Sequence, residues 1–513
     1  MADTVLTETA TAIRTYEELR TRLTDLSQWT STPLTWFPSR WLYEDTQRLD
    51  AGYYADDVFA ARRLLTDCGF EIKQLQTLGV EAYHLTQSQP RSNFKRIYTT
   101  HDQGTPFLTT SQIYAFRPDT DKYLSPSMEK LDEMLVSPGV ILISRSGTVA
   151  RPVLVGQRLS QFAITDDAIR VQSGKLPVGY LYAYLCSWIG QTLLRKNQYG
   201  VTVKHLESPH LLALLCPRLS ENAEQYIHSE ITHAYALRDE ANDLLDEADA
   251  LLHHELGLPH FNESLVPYLT LPPREDTGLP EIPDPQAFIV NAEDLNERLD
   301  ASYHVPIART AIELLYKAKY SPVPLSKIAD GVYIPPRFKR IYVQEAYGVP
   351  FIRPSQLPQM RPFDLDYISK LTKELDLLEL QQGDVLVSTD GTVGRISLVT
   401  KRIAGWAGSN NIGRITYGNT DGRNGYIAAF LSSPYGYHQL TREIYGGVVD
   451  HIERYHIEGV LIPQAPSDVQ RAIGEKVVLA YEKKDEATAL EETAIRELEQ
   501  TLETRAQGYA VDW

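Results

Sequence analysis

The sequence is short of several things, and each shortage excludes a class of protein. Cysteine is scarce: Cys68, Cys186 and Cys216 are the only three in 513 residues, and no two of them form a CxxC pair. That excludes a disulfide framework and a Cys-rich zinc site, and it makes a reducing cytoplasm the expected location. Long apolar runs are missing, none approaching the roughly 20 residues that cross a bilayer, so no membrane partner is expected. The opening stretch MADTVLTETATAIRTYEELR has no basic region followed by an apolar core, and no secretory signal is expected.

Catalytic signatures are missing as well. The chain has no GxxxxGK[ST] phosphate loop, no GxGxxG before a helix, no HExxH and no GxSxG. It also lacks the Asn-Pro-Pro-Tyr or Asp-Pro-Pro-Tyr run with which an amino-methyltransferase holds its target amine. His253-His254 resembles a metal pair, but neighbours on a helix point in different directions, and a solvated helix face is the expectation there.

What is present is globular. Hydrophobic residues make up 43% and charged residues 23%, which excludes a disordered chain, and the length accommodates about three or four structural units. With 50 Lys+Arg and 67 Asp+Glu the formal charge is −17, which taken alone argues against nucleic acid. The charge is concentrated, however: net −9 over 221–257, −4 over 258–290 and −4 over 466–505, so the rest of the chain is neutral. The total describes three segments and says little about other surfaces.

The chain repeats itself. Arg48-Leu-Asp-Ala-Gly-Tyr-Tyr54 returns as Arg298-Leu-Asp-Ala-Ser-Tyr-His304, an offset of 250. Three further motifs return at an offset of 244. They are Phe94-Lys-Arg-Ile-Tyr98 with Phe338-Lys-Arg-Ile-Tyr342, and Gly104-Thr-Pro-Phe-Leu-Thr-Thr-Ser-Gln-Ile113 with Gly348-Val-Pro-Phe-Ile-Arg-Pro-Ser-Gln-Leu357. The third is Gly139-Val-Ile-Leu-Ile-Ser-Arg-Ser-Gly-Thr-Val-Ala-Arg151 with Gly383-Asp-Val-Leu-Val-Ser-Thr-Asp-Gly-Thr-Val-Gly-Arg395. Tyr199-Gly200 and Leu215-Cys-Pro217 match Tyr445-Gly446 and Leu461-Ile-Pro463 at 246. Ordered matches at a near-constant offset mark a duplicated unit.

Each copy follows one plan. Val140–Ile143 and Val385–Val387 read as buried strands before a Gly-Thr turn. A helical segment is expected at about 180–194 and 426–437. A long acidic helix closes each copy, with Ile227, Ile231, Ala234, Ala241, Leu245, Ala248 and Leu252 in the first at spacings of 3, 4 or 7. Ile473, Val477, Ala480, Ala487, Ala494 and Leu498 repeat that pattern in the second, the apolar seam of helices that pack along each other. About 32 residues of helix would extend about 48 Å. Pro259, Pro267, Pro272, Pro273, Pro280, Pro283 and Pro285 make an extended connector between the copies. Ile13, Leu19, Leu23 and Leu26 give a short amphipathic helix in 1–40.

The recurring chemistry is that of recognition. Lys95, Arg96, Lys339 and Arg340 are interleaved with aromatics, and such bases pair with phosphates while an Arg fork reads guanine; a strand with core Phe and Tyr is the alternative. Ser144, Thr148, Ser388 and Thr392 sit on turns whose N–H groups and hydroxyls suit phosphates, though a Gly needed for positive φ explains such a turn equally well. Arg151 and Arg395 are placed for backbone phosphate. Arg145 faces Thr389 as its counterpart, and Arg353 faces Thr109; such differences let two related modules read different sequences. Asp166-Asp167 aligns with Asn410-Asn411, which cannot ionise, so acid/base catalysis in both copies is excluded and turn or strand-edge positions are expected. Asn bonds adenine bidentately and Asp accepts from cytosine N4.

These motifs resemble the specificity subunit of type I restriction–modification enzymes. They are Arg-Leu-Asp-Ala-x-Tyr-[Tyr/His], Gly-x-Pro-Phe-[Leu/Ile]-x-x-Ser-Gln-[Ile/Leu] and Gly-[Val/Asp]-[Ile/Val]-Leu-[Ile/Val]-Ser-x-x-Gly-Thr-Val-[Ala/Gly]-Arg, each closed by a long helix, over about 41–505. The resemblance implies an α+β fold: a tandem pair of α/β target-recognition domains joined and separated by two long antiparallel helices, a coiled-coil spacer. It places an N-terminal extension at 1–40, a first recognition domain at 41–217, spacer helix 1 at 218–257 and the Pro-rich connector at 258–290. The second domain then covers 291–463, and spacer helix 2 with a tail 464–513.

The implied function is non-catalytic reading of a bipartite double-stranded DNA target. Two methyltransferase subunits, carrying S-adenosylmethionine, would dock on the helices, and motor-nuclease subunits would join them. The implied DNA-contacting set is Lys95, Arg96, Ser111, Ser144, Arg145, Thr148, Arg151, Lys204, Lys339, Arg340, Arg353, Ser355, Ser388, Thr392, Arg395, Asn410 and Asn411. The implied partner-binding positions on the helices are Ile227, Ile231, Leu245, Leu252, Ile473, Val477 and Leu498, and no metal site is expected. The extension and the long connector depart from the usual pattern. A second class stays open: a non-catalytic assembly adaptor of an anti-phage complex, its acidic helices docking basic partners.

Overall fold

The computed structural model describes residues 55–87, 95–147, 149–198, 204–261, 266, 269–270, 286–295, 298–418 and 421–508. The expected helix in 1–40, the motif at 48–54, Phe94, Thr148, Tyr199-Gly200 and most of the connector lie outside them. Among the described residues no helix is long and apolar enough to cross a membrane.

Among the described residues the eight longer helices are α1 (Asp56–Asp67), α2 (Val178–Cys186), α3 (Trp188–Arg195), α4 (Glu221–Leu256), α5 (Pro306–Tyr316), α6 (Arg423–Ser432), α7 (Pro434–Arg442) and α8 (Ser467–Ala506). The duplication is structural to the level of register. In the first copy Glu81–Tyr83, Ala168–Gln172, Ile141–Ser144 and Pro152–Leu154 form an antiparallel sheet in that order. In the second, Gly331–Tyr333, Ile412–Thr416, Val385–Ser388 and Ile396–Leu398 do the same. Leu142 stands opposite Arg170, and Leu386 opposite Arg414. A smaller sheet follows suit, with Phe107 beside Ala163 and Phe351 beside Ala407 in parallel pairs.

The helical segment expected at 180–194 is two helices, α2 and α3, and its counterpart is α6 and α7. The break falls at Ser187 and Ser433, both extended (ψ 157° and 160°), and each hydroxyl donates to a carbonyl three residues back, Tyr184 at 2.7 Å and Phe430 at 2.6 Å. Ser187 also accepts from the Gly190 N–H, and Pro434 opens α7 where a missing N–H costs nothing.

The closing helices are longer than the spacing alone gives, 36 residues in α4 and 40 in α8, or about 54 and 60 Å. Ser220 caps α4 at the Ala223 N–H, and Gly257 ends it in the left-handed conformation (φ 65°). The two helices run antiparallel, because Glu240 meets Lys483 and Glu247 meets Lys476. All thirteen seam residues are buried, each apolar side chain contributing about 1.5–3 kcal/mol when large.

The modules sit at opposite ends of this pair. The first core packs on Ile227, Ile231, Ala494 and Leu498, the second on Leu245, Leu252, Ile473 and Val477. Gly179 of α2 touches the backbone of His228, and Gly425 of α6 touches that of Gly474, so a side chain at either glycine would hold the module off the rod. With Lys476 level with Glu247, those two contacts lie roughly 30 Å apart along the rod. Between them the copies meet each other symmetrically: Phe116 N–H donates to Pro358 O and Met360 N–H to Tyr114 O.

Candidate nucleic-acid interface

Residues far apart in sequence converge on one face of each module. In the second module Arg340 donates to Asn410 Oδ1 at 2.8 Å, and the Asn410 amide donates to Asn411 at 2.5 Å. Asn411 O accepts the Thr389 N–H at 3.0 Å, so the strand-end turn at 388–392 adjoins the asparagine pair. Asp390 on that turn meets His451 Nδ1 at 2.9 Å, and Gly391 N–H donates to Asp450 O. The loop before His451 carries Val448, fully exposed, and Val449, more than half exposed.

The first module builds the same face with different charges. Arg96 donates to Asp166 at 2.6 Å, and Asp166 is buried. Arg145 N–H donates to Asp167 O as Thr389 does to Asn411. Ser146 contacts Asp167 and His205 Nδ1, each at 2.9 Å, and Gly147 N–H donates to Lys204 O. Arg96 lies over Phe107 and Arg340 over Phe351, with 4.8 and 5.7 Å to the ring centroids. The position is thus the same, but Arg96 faces a carboxylate and Arg340 a neutral amide. The second face keeps a cation that the first largely neutralises.

The basic–aromatic motif answers to both readings: Tyr98 opens a short strand, Tyr98–Thr99, and Phe338 packs on a core cluster, while both tyrosines face outward. Tyr98 and Tyr342 are 51% and 49% exposed, and Ile97 and Ile341 nearly as much; Phe338 turns inward, edge-on to Phe351. Lys95, Lys339 and Lys204 are exposed. Large apolar groups flanking bases on a surface are the arrangement that grips a nucleic acid by both charge and stacking. Asp166-Asp167 form a turn before the strand Ala168–Gln172.

Several expected contacts are elsewhere. Ser144 and Ser388 are buried. Ser388 Oγ donates to Thr392 O at 2.6 Å and accepts the Arg395 N–H at 2.8 Å, so it closes its own turn. Gly147 and Gly391 at those turns have φ of 77° and 72°, which is why glycine is there. Arg145 is committed to Asp167 at 3.2 Å and Glu207 at 2.7 Å. Glu207 also holds His84, whose pKa burial lowers despite that hydrogen bond.

Arg151 leaves the face altogether. It stacks on Phe363, 3.6 Å to the centroid, and pairs with Asp364, both from the second copy, beside an inter-copy cavity of about 230 Å³. Arg353 pairs with Asp366 at 2.9 Å on that same segment. Ser111, Ser355, Thr392 and Arg395 are exposed, and Thr392 and Arg395 are joined through their backbones to Ser388, at the start of the turn that adjoins the asparagine pair. The seven helix positions assigned to partners are buried inside this chain, since the seam is intramolecular.

His205 and His451 were not anticipated. They pin the turns of both faces, and Glu207 and Glu453 lie two residues on, Glu453 accepting from His451 at 3.1 Å. The signal was available: His205-Leu-Glu207 returns as His451-Ile-Glu453 at the offset of 246. Of the His253-His254 pair expected on a solvated face, His254 is exposed but His253 is buried.

No family model matches the chain, and no curated protein matches it. Among solved structures it is similar to the type I restriction-modification S subunit from M. genitalium, at 10% identity and TM-score 0.34, over 87% of this chain and 97% of that one. It is also similar to the HsdS subunit from Thermoanaerobacter tengcongensis, at 14% identity and TM-score 0.26, over 86% of this chain and 97% of that one. A chain from a structure of type I restriction–modification complex assembly is 12% identical, with TM-score 0.26, over 83% of this chain and 97% of that one. Superpositions this loose settle neither fold nor activity.

Proposed function

We infer that this chain is the DNA-specificity subunit of a type I restriction–modification complex and is itself non-catalytic. The observation that carries the inference is that one recognition-like face is built twice, on modules held at opposite ends of a single antiparallel helix pair. A rigid rod of this kind lets two modules read two DNA segments separated by bases that neither touches. The roughly 30 Å between the module attachments is close to the 34–36 Å of one B-DNA turn, so both modules address the same side of the duplex.

The two faces would read different half-sites. Asn410 and Asn411, both half-buried, suit adenine and the half-buried Asp167 suits cytosine, whereas Asp166 is buried against Arg96. Methylation would be performed by two docked methyltransferase subunits, which carry S-adenosylmethionine, and cleavage by motor-nuclease subunits. Their docking surface would be the outward faces of α4 and α8, because the seam is already occupied. The adaptor reading drew on the acidic helices, but Glu240, Asp246, Glu247, Glu491 and Glu492 are paired with cations of this chain, which leaves less charge for a basic partner.

Hydroxyl-radical footprinting of the assembled methylase complex on its target tests the reading. Two protected patches about one helical turn apart on one side of the duplex are expected. One continuous patch, or uniform protection, would contradict it.

A further inference from the structure

We propose that Asp249, His253 and His260 form a zinc site at the C-terminal end of α4, independent of any DNA reading. One ligand atom from each lies within 4.8 Å of the others. Asp249 and His253 are four residues apart and therefore share a helix face. The left-handed Gly257 turns the chain back, and this return sets the His260 ring against His253, centroids 4.3 Å apart and planes at 36°.

The geometry around His253 is that of a metal ligand. It is buried, and its Nδ1 is 3.2 Å from Leu258 O. A carbonyl can only accept, so Nδ1 carries the proton and Nε2 presents its lone pair, the orientation that outer-shell carbonyls impose on ligating imidazoles. Nε2 is 3.9 Å from Asp249 Oδ1, too far for a hydrogen bond. Donor atoms around tetrahedral zinc are about 3.3 Å apart, given bonds of about 2.0–2.1 Å. Asp249 is half-buried and His260 exposed, so small side-chain rotations close the difference.

The return segment is held in place independently. Tyr435 donates to Pro259 O at 2.8 Å, and Phe261 packs edge-on against the Tyr435 ring at 5.6 Å. Two imidazoles and one carboxylate leave a fourth position open and favour zinc over magnesium or calcium. The equivalent positions in the second copy are Ile495, Glu499 and Ala506, so the trio is not part of the duplicated plan. Bound zinc would fasten the start of the connector to the end of α4.

The test uses the full chain, stripped with a chelator and titrated with zinc chloride by calorimetry, then with cobalt(II) chloride followed by visible absorption. One equivalent of each metal is expected, with the intense d–d bands of low-coordinate cobalt, and zinc should raise the thermal unfolding midpoint. His260→Ala and Asp249→Asn, both away from the core, should each weaken zinc by more than the roughly tenfold that loss of an outer-shell partner causes. Both should melt like the stripped wild type in chelator. No uptake by the wild type, or equal affinity in both variants, would overturn the site.

Discussion

Replacing Glu491 with alanine is expected to lower the unfolding free energy by about 3–5 kcal/mol, the effect of stranding buried cations. Glu491 is 1% exposed at the middle of α8. It accepts from Arg238 of α4, from Arg361 of the second copy at 2.9 Å and from Tyr182 of the first at 3.0 Å. Tyr182 in turn receives the Tyr235 hydroxyl at 3.0 Å. One carboxylate therefore ties both helices to both modules. Burial works against its charge, but Arg361 and Arg238 outweigh burial and hold the carboxyl below its ordinary value. A depressed carboxyl contributes stability above the unfolded pKa, about 4.3, and that stability is lost as pH falls through the folded value. Urea midpoints at pH 7 and in mild acid check both points. Glu491→Gln should lose stability at pH 7 and lack the acid-dependent part. A change below about 1 kcal/mol would mean that the network is incidental.

The Lys339→Ala, Arg340→Ala double variant is expected to weaken DNA binding by the assembled complex roughly ten- to hundredfold, the loss of a base-reading Arg fork at about 1–3 kcal/mol. It should also flatten the salt dependence by about one unit for each phosphate contact removed. Lys95→Ala with Arg96→Ala should behave differently. Arg96 already faces the buried Asp166, so its removal should flatten the salt slope less and lower folding stability more. Binding isotherms across a salt series, paired with unfolding curves, separate the two effects. Full affinity with an unchanged slope in the Lys339/Arg340 variant would remove that face from the interface.

Much of the architecture was legible because duplication leaves matches at fixed offsets and because helix seams obey a period. The thirteen seam positions follow from spacing alone, and all of them are buried. Spacing marked a seam between helices but the resemblance assigned Ile227 and Ile473 to partner subunits, although each is buried inside this chain, at opposite ends of the helix pair. The helix breaks at Ser187 and Ser433 were hidden because apolar periodicity runs through them.

The candidate face was legible in its residue types and not in its membership. Arg96 converges with Asp166 on the first face, and Arg340 with Asn410 and Asn411 on the second. Ser144 and Ser388 read as ligand hydroxyls but are buried, because a Gly-Thr turn behind a core strand needs its own hydrogen bonds satisfied. Arg151 reads as a phosphate contact but crosses to Phe363, a contact between copies that no local pattern encodes.

The most direct test of the central claim is genome-wide single-molecule detection of modified bases, with the gene present and deleted, in cells that express the neighbouring methylase genes. The account predicts that deletion abolishes one bipartite methylation motif, its two halves separated by unread bases. A methylation pattern unchanged by the deletion would contradict it.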